Sequence, residues 1–247
     1  MSYLQIIIQM RGREPFELPI HYNNLIQGMI YGAIDPHLAA FLHESGYLAE
    51  QRVFRLFTFS RLTGACRICK ESSSIRFEKD VALTIASPVK EFCHSLVSGL
   101  LTSGSIFLGK NTLQVQDVSL RVPKPSAEKT LVQALSPVTI YSTLLRPDGR
   151  KYTYYYQPGE PDYERLIKEN LLRKFRAFLA RSPESEDLSI EPSGSQRLSV
   201  ITYKGNIVKG YSGRLVLAGS GELIQMALDA GLGGKNSQGF GCIELVP

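Results

Sequence analysis

No stretch of the chain approaches the ~18–20 consecutive apolar residues of a membrane helix, so no membrane partner is expected. The opening segment, MSYLQIIIQM, lacks both a basic start and a small-residue cleavage site, which argues against a signal peptide. Cysteine is scarce, at four in 247 residues. Cys66 and Cys69 make one CxxC, while Cys93 and Cys242 are isolated. A secreted disulfide scaffold is excluded, and a structural zinc site wants a second pair or spaced histidines. The expectation is therefore reduced thiols, no metal, no cofactor and a cytoplasmic location. What remains is an ordinary globular composition, 43% hydrophobic and 21% charged.

Charge adds one constraint. Twenty-eight basic against 23 acidic residues leave +5, and the surplus is shared by the two halves rather than gathered in a tail. A polyanionic partner would contact both.

The hydropathy pattern reads as two similar units. Residues 3–11 alternate apolar and polar, the period of a half-buried strand. Helical spacing follows over 22–34, and Asp35-Pro36 opens a second helix to 44. Strand-like runs lie at 53–61, 64–70, 73–78 and 80–86. Ser87-Pro88 opens a helix over 88–101, and strands at 105–109 and 112–122 complete the unit. Val122-Pro-Lys-Pro-Ser126 is a short junction. Beyond it come a hairpin over 139–157 and an amphipathic helix from Pro161 to about 180. Strands at 187–192, 196–203 and 206–218, a helix at 221–230 and a strand at 241–246 follow. Each unit reduces to βαββαβ. The expected fold is α+β: tandem ferredoxin-like (RRM-like) domains over 1–122 and 127–247.

Seven of the 21 glycines fall between 219 and 241. Gly219 and Gly221 flank a helix start with Ser220 as cap, and Gly231 sits where a terminating glycine belongs. Gly233, Gly234, Gly239 and Gly241 surround Lys235-Asn-Ser-Gln238. A Walker A loop fails, because Lys235 is followed by Asn236, Asp229 stands where the first glycine belongs, and the order is helix, loop, strand. A dinucleotide GxGxxG fails for want of its third glycine. Two readings stay open: glycines that only make turns, and a backbone-lined anion site with a lysine beside it.

The segment from Gly231 to Val246, GLGGKNSQGFGCIELV, resembles the glycine-rich signature of the CRISPR repeat-RNA endoribonucleases, which process precursor transcripts within the repeat-associated (RAMP) superfamily. HYNNLIQGMIYGAI over 21–34, LAAFLHE over 38–44 and LFTFS over 56–60 are similar to that family's first helical region and following strand. The resemblance implies RNA-binding residues at Gly231, Gly233, Gly234, Lys235, Asn236, Ser237, Gln238 and Gly239. It implies an RNA cleavage in which the 2′-hydroxyl attacks the adjacent phosphate, with a base, an acid and a cation sufficient and no metal needed. His43 matches the family's histidine, Tyr31 its tyrosine, and Arg55 falls where lysine is frequent. Arginine clamps a phosphate but does not readily act as a neutral base, so a proton-transfer role at 55 is in doubt, and Arg52 is the alternative cation.

The residues by themselves leave rivals. A helix-terminal histidine such as His43 is also a favourable cation against the helix dipole, and Tyr31 is also readable as a core-edge tyrosine. His37 is the nearest competitor, His21 precedes the first helix, and His94 reads as structural. Tyr152, Tyr154, Tyr155 and Tyr156 on the hairpin offer stacking faces, about half of them inward by alternation. Lys168, Arg173, Lys174, Arg176 and Arg181 on the long helix also fit RNA binding, but less specifically, and read first as a solvated helix face. The expected partner is CRISPR repeat RNA, with interference-complex subunits and a homodimer left open. The alternative function is a non-catalytic repeat-RNA-binding subunit of an interference complex, and a third is a phosphate-handling metabolic enzyme.

Overall fold

The computed structural model of the protein describes residues 4–125 and 129–246. Tyr3 of the expected first strand, Ser126 of the junction and residues 127–128 of the second expected domain lie outside that range.

The first sheet grows around strand Leu4–Gly12. Its alternation buries Ile6, Ile8 and Met10, and neighbours pair antiparallel on both sides. The order across the sheet is Thr58–Phe59, Asp80–Ser87, Leu4–Gly12, Asn111–Arg121, Ser105–Leu108. Helices α1 (Asn23–Ala33) and α3 (Lys90–Ser103) follow the first and third strands of the motif. Between α1 and the second strand the chain inserts α2 (Pro36–Glu44) and a short hairpin, Tyr47–Ala49 with Arg52–Phe54. The Asp35 side chain caps α2 by accepting from the His37 and Leu38 amides at 2.9 and 3.1 Å.

The second sheet repeats the arrangement. Its order is Leu188–Tyr203, Asn206–Gly219, Lys129–Ala134, Ile243–Leu245, and α4 (Pro161–Leu179) and α5 (Gly221–Ala230) occupy the two helix positions. Hairpin Tyr141–Leu145 with Lys151–Tyr155 stands apart as a two-stranded ribbon. Each sheet therefore has the fourth-first-third-second order of a ferredoxin-like motif, with antiparallel pairing. One continuous buried apolar cluster spans both.

Local departures have local causes. Pro88 stands before α3 rather than in its first turn, because the Ser87 hydroxyl accepts from the Val89 amide at 3.1 Å and delays the helix start. Ser220 holds the position before α5 without a side-chain capping bond. The two strands expected over 187–203 are one, with a register irregularity between Ser193 and Arg197 where Gly194 takes φ +78°. Phe16–Pro19, unforeseen, joins Ser74–Phe77 and Cys66–Cys69 in a small three-stranded sheet.

Candidate functional site

The insertion after α1 gathers three of the expected residues. Tyr31 lies on the last turn of α1, His43 on the last turn of α2, and their rings meet edge to face with centroids 6.2 Å apart. Phe57 backs Tyr31 at 5.8 Å. Arg55 caps the end of α2: its Nε donates to the Leu42 carbonyl at 3.1 Å and its Nη2 to the His43 carbonyl at 3.0 Å. This pairing of a cation with the negative end of a helix fixes the guanidinium. Burial raises the Tyr31 phenol above its ordinary value, opposed by the charge and hydrogen bond of Arg55. His43 is exposed, Tyr31 and Arg55 half-buried. The cluster presents a titratable imidazole, a phenol and a fixed positive charge within one surface patch.

The other histidines stand elsewhere. His37 is exposed on the first turn of α2, six residues and so ~9 Å along the helix from His43. His21 is half-buried, and burial first, then the charge of Arg61, lowers its pKa. His94 is exposed on α3.

The glycine-rich loop follows α5 and docks onto the first half of the molecule. Asn23 Nδ2 donates to the Gln238 and Gly239 carbonyls at 2.8 and 3.2 Å. Gln27 Nε2 donates to the Ser237 carbonyl at 2.6 Å, and its Oε1 accepts from the Tyr203 hydroxyl. Thr58 Oγ1 donates to the Phe240 carbonyl at 3.1 Å. Inside the loop, Asn236 Nδ2 bonds the Leu232 and Phe240 carbonyls, each at 3.0 Å.

That docking gives the glycines a role the sequence did not separate from anion binding. Gly239 has φ +84°, and a Cβ there would lie 2.5 Å from the Phe59 ring and 2.7 Å from Asn23 Nδ2. Gly231 and Gly233 are likewise closed in by Asn236 and by the Thr139 carbonyl. Gly231, Gly233, Asn236 and Gly239 are buried, whereas Gly234, Lys235, Ser237 and Gln238 are partly open. Gly234 alone of the four glycines has room beside it, its nearest neighbour being Tyr141 at 3.7 Å. The Lys235 ammonium sits over the Tyr141 ring at 5.2 Å.

Between the halves lies a cavity of about 750 Å³. Arg52 and Arg55 line one side, Lys235, Ser237 and Gln238 the glycine-loop side, and Arg173 and Lys174 of α4 a third. Glu169 is the one carboxylate among the lining residues. Two buried amide oxygens, Asn170 Oδ1 and Gln238 Oε1, have no hydrogen-bond partner, and both residues line the cavity. Arg52 and Arg55 both reach it, so the two candidate cations share one space.

Lys174 departs from the solvated face expected for it: it is 2% exposed. Its Nζ donates to the carbonyls of Gly231 at 2.6 Å, Gly233 at 3.0 Å and Ala230 at 3.5 Å. Burial pulls its pKa down to about 7. Ile167, Leu171, Lys174 and Phe178 fall at i, i+4, i+7 and i+11, so the apolar stripe of α4 already carried this lysine inward. Asn23, Gln27 and Tyr203 had no comparable sequence signal, since their partners are some two hundred residues away. On the hairpin, Tyr152 and Tyr154 are exposed while Tyr155 and Tyr156 are half-buried. Among the described residues no group of three or more His, Cys, Asp or Glu is placed to hold a metal ion, and no helix is long and apolar enough to cross a membrane.

Comparison with known proteins covers nearly the whole chain. Residues 120–245 match the family model "CRISPR associated protein Cas6, C-terminal", and residues 17–119 match "CRISPR-associated protein Cas6, N-terminal". The CRISPR-associated endoribonuclease Cas6 1 of Methanocaldococcus jannaschii is 27% identical over 241 residues, covering 92% of this chain and 86% of its own. The CRISPR-associated endoribonuclease Cas6 of Pyrococcus furiosus is 26% identical over 257 residues, covering 99% and 90%. A solved structure described as "An RAMP protein binding different RNA substrates" superposes with a TM-score of 0.83 at 19% identity, covering 99% of this chain and 100% of that one.

Proposed function

The chain belongs to the CRISPR-associated Cas6 family, and from that premise we propose that it is an endoribonuclease cutting CRISPR precursor transcripts within their repeats. Its curated relatives are named endoribonucleases, which supports the reaction class. The observation that carries the reading is the meeting of Tyr31, His43 and Arg55 where Arg55 also lines the basic cavity.

The reaction needs little from the protein beyond placement. RNA supplies its own nucleophile, the 2′-hydroxyl, so no metal-activated water is required. His43 is the proton-transfer group of this reading, since an imidazole can both take and give a proton. Its exposure leaves both ring nitrogens open to the 2′-hydroxyl or the leaving 5′-oxygen. Arg55, held by two carbonyls, stabilises charge on the phosphate, and its guanidinium stays protonated. Tyr31 orients the imidazole through its ring contact and offers a hydroxyl donor. The products carry a 5′-hydroxyl and a 2′,3′-cyclic phosphate or its 3′-phosphate product.

The RNA interface in this reading is the partly open side of the glycine loop, Gly234 to Gln238, with the cavity cations opposite. The same reading divides the chain into a unit over 1–122 that carries the chemistry and one over 127–247 that carries the loop. Incubating the protein with the host's repeat RNA in excess EDTA tests the reading. Cleavage with those end groups is expected. Abolition by EDTA with rescue by magnesium would overturn the mechanism, and tight binding without cleavage would favour a repeat-binding subunit instead.

A further inference from the structure

One face of α1 joins two parts of the site that the chain separates by about two hundred residues. Asn23, Gln27 and Tyr31 follow one another at i, i+4 and i+8, so they stand on successive turns of the same side. Asn23 holds the Gln238 and Gly239 carbonyls, Gln27 holds the Ser237 carbonyl, and Tyr31 meets the His43 ring. A helix rises ~1.5 Å per residue, which separates Gln27 and Tyr31 by ~6 Å along the axis. The glycine loop and the Tyr31–His43 pair are thus fixed to one rigid element, a single turn apart.

Gln27 is itself held. Its Oε1 accepts from the hydroxyl of Tyr203, the last residue of strand Leu188–Tyr203, and the other end of the amide is turned to Ser237 at 2.6 Å. Tyr203 is 7% exposed and packs with Ile201, Val208 and Phe240, the last of these in the glycine loop. Burial, and after it the nearby Tyr31 phenol, raise the Tyr203 pKa, so its hydroxyl keeps the proton and remains a donor. Three elements from both halves of the molecule therefore meet at one side-chain amide. These bonds are spent inside the protein, on placing the loop.

Resting on the cleavage reading above, we propose that Gln27 and Tyr203 are positioning residues that set which phosphate is cut. Tyr203 orients the Gln27 amide, and Gln27 fixes Ser237 one helical turn from Tyr31. The RNA backbone gripped by the loop is thereby held in register with His43. Asn23, Thr58 and Asn236 still dock the loop when this pair is removed, so its loss shifts the register and spares the grip. A displacement of about 1 Å is enough to cost ~10²-fold in rate.

The experiment maps product ends at single-nucleotide resolution during single-turnover cleavage of repeat RNA at saturating protein, with RNA affinity measured beside it. The parent should give one end. Gln27→Ala should cut ~10²-fold more slowly, add ends at neighbouring phosphates and leave affinity little changed. Tyr203→Phe, which removes a single oxygen, should do the same at ~10-fold. The double variant should match Gln27→Ala alone, because Tyr203 acts through Gln27. Unaltered ends in Gln27→Ala, a rate loss matched by an equal loss of affinity, or additive losses in the double variant overturn the proposal. Should Gln27→Ala fail to fold, the ends from Tyr203→Phe decide. A parent that binds repeat RNA without cutting it would defeat the cleavage reading and leave the register measurable. An iron chelate tethered at His43→Cys, with Cys66→Ser and Cys69→Ser, then scores the nucleotides lying beside α2. Scoring that is confined in this protein and spreads when Gln27→Ala is added supports the proposal, and an unchanged pattern overturns it.

Discussion

The two halves share one motif and spend their irregular chain in different places. In the first half the connection from first helix to second strand swells to hold α2 and a short hairpin, and the second strand shrinks to Thr58–Phe59. In the second half that connection runs only from Leu179 to Leu188. Its extra chain lies instead in the hairpin Tyr141–Leu145 with Lys151–Tyr155, in the long strands Leu188–Tyr203 and Asn206–Gly219, and in the loop after α5. The corresponding turn of the first half, after α3, is a single left-handed Gly104. In the proposed function one half carries the proton-transfer group and the other the polymer-holding loop, and both insertions face the same cavity. A repeated scaffold divides labour through its connections, not its sheets.

The comparison breaks most visibly at His43. His43→Ala should slow single-turnover cleavage of repeat RNA by ~10²–10⁴, the span of general acid–base catalysis, with binding little changed. Full activity in that variant, with His37→Ala inactive, would move the chemistry to the other end of α2.

Next in size is the seam between the halves. Gly239→Ala forces a Cβ into Phe59 and Asn23 at φ +84° and should cost about 2–4 kcal/mol in urea unfolding. Gly234→Ala has open space and should stay within about 1 kcal/mol. Equal costs for the two would mean that the loop does not depend on its docking.

A single bridge should matter less. Asn23→Ala removes the donor to two loop carbonyls and the acceptor of Arg61 Nη1, a loss of about 1–3 kcal/mol. An unchanged urea midpoint would show that the carbonyls find water instead.

The smallest effect is expected on the open side of the loop. Lys235→Ala should weaken repeat-RNA binding and reduce the salt slope by up to ~0.7, the single-strand value for one neutralised phosphate. A slope equal to wild type would remove Lys235 from the interface.

Legibility from sequence followed the range of the forces involved. Helices α1, α2, α4 and α5 were readable because their caps, prolines and periodicities act within a few residues, as Asp35 and Pro161 illustrate. Strand Phe16–Pro19 was not. Four residues ending in proline make no pattern, and its partner Ser74–Phe77 lies more than fifty residues away. The Tyr31, His43 and Arg55 grouping came from family resemblance, since nothing in their spacing brings α1 and α2 together. Lys174 was misjudged by its charge, although its position on the α4 stripe was visible. The glycines were noticed for their number, but which of them face protein depends on where the loop docks.

That docking also has a consequence for order in time. Asn23, Gln27 and Thr58 wait for carbonyls contributed by residues 237–240, which leave the ribosome long after the first sheet has all its strands. At ~5–20 residues per second the interval between Thr58 and Phe240 is on the order of ten seconds or more. Throughout it, the nascent first half holds Tyr31 and His43 without the loop that closes the cavity beside them. In the proposed function a half-made chain therefore carries the proton-transfer group but not the grip, and RNA capture waits for the glycine loop.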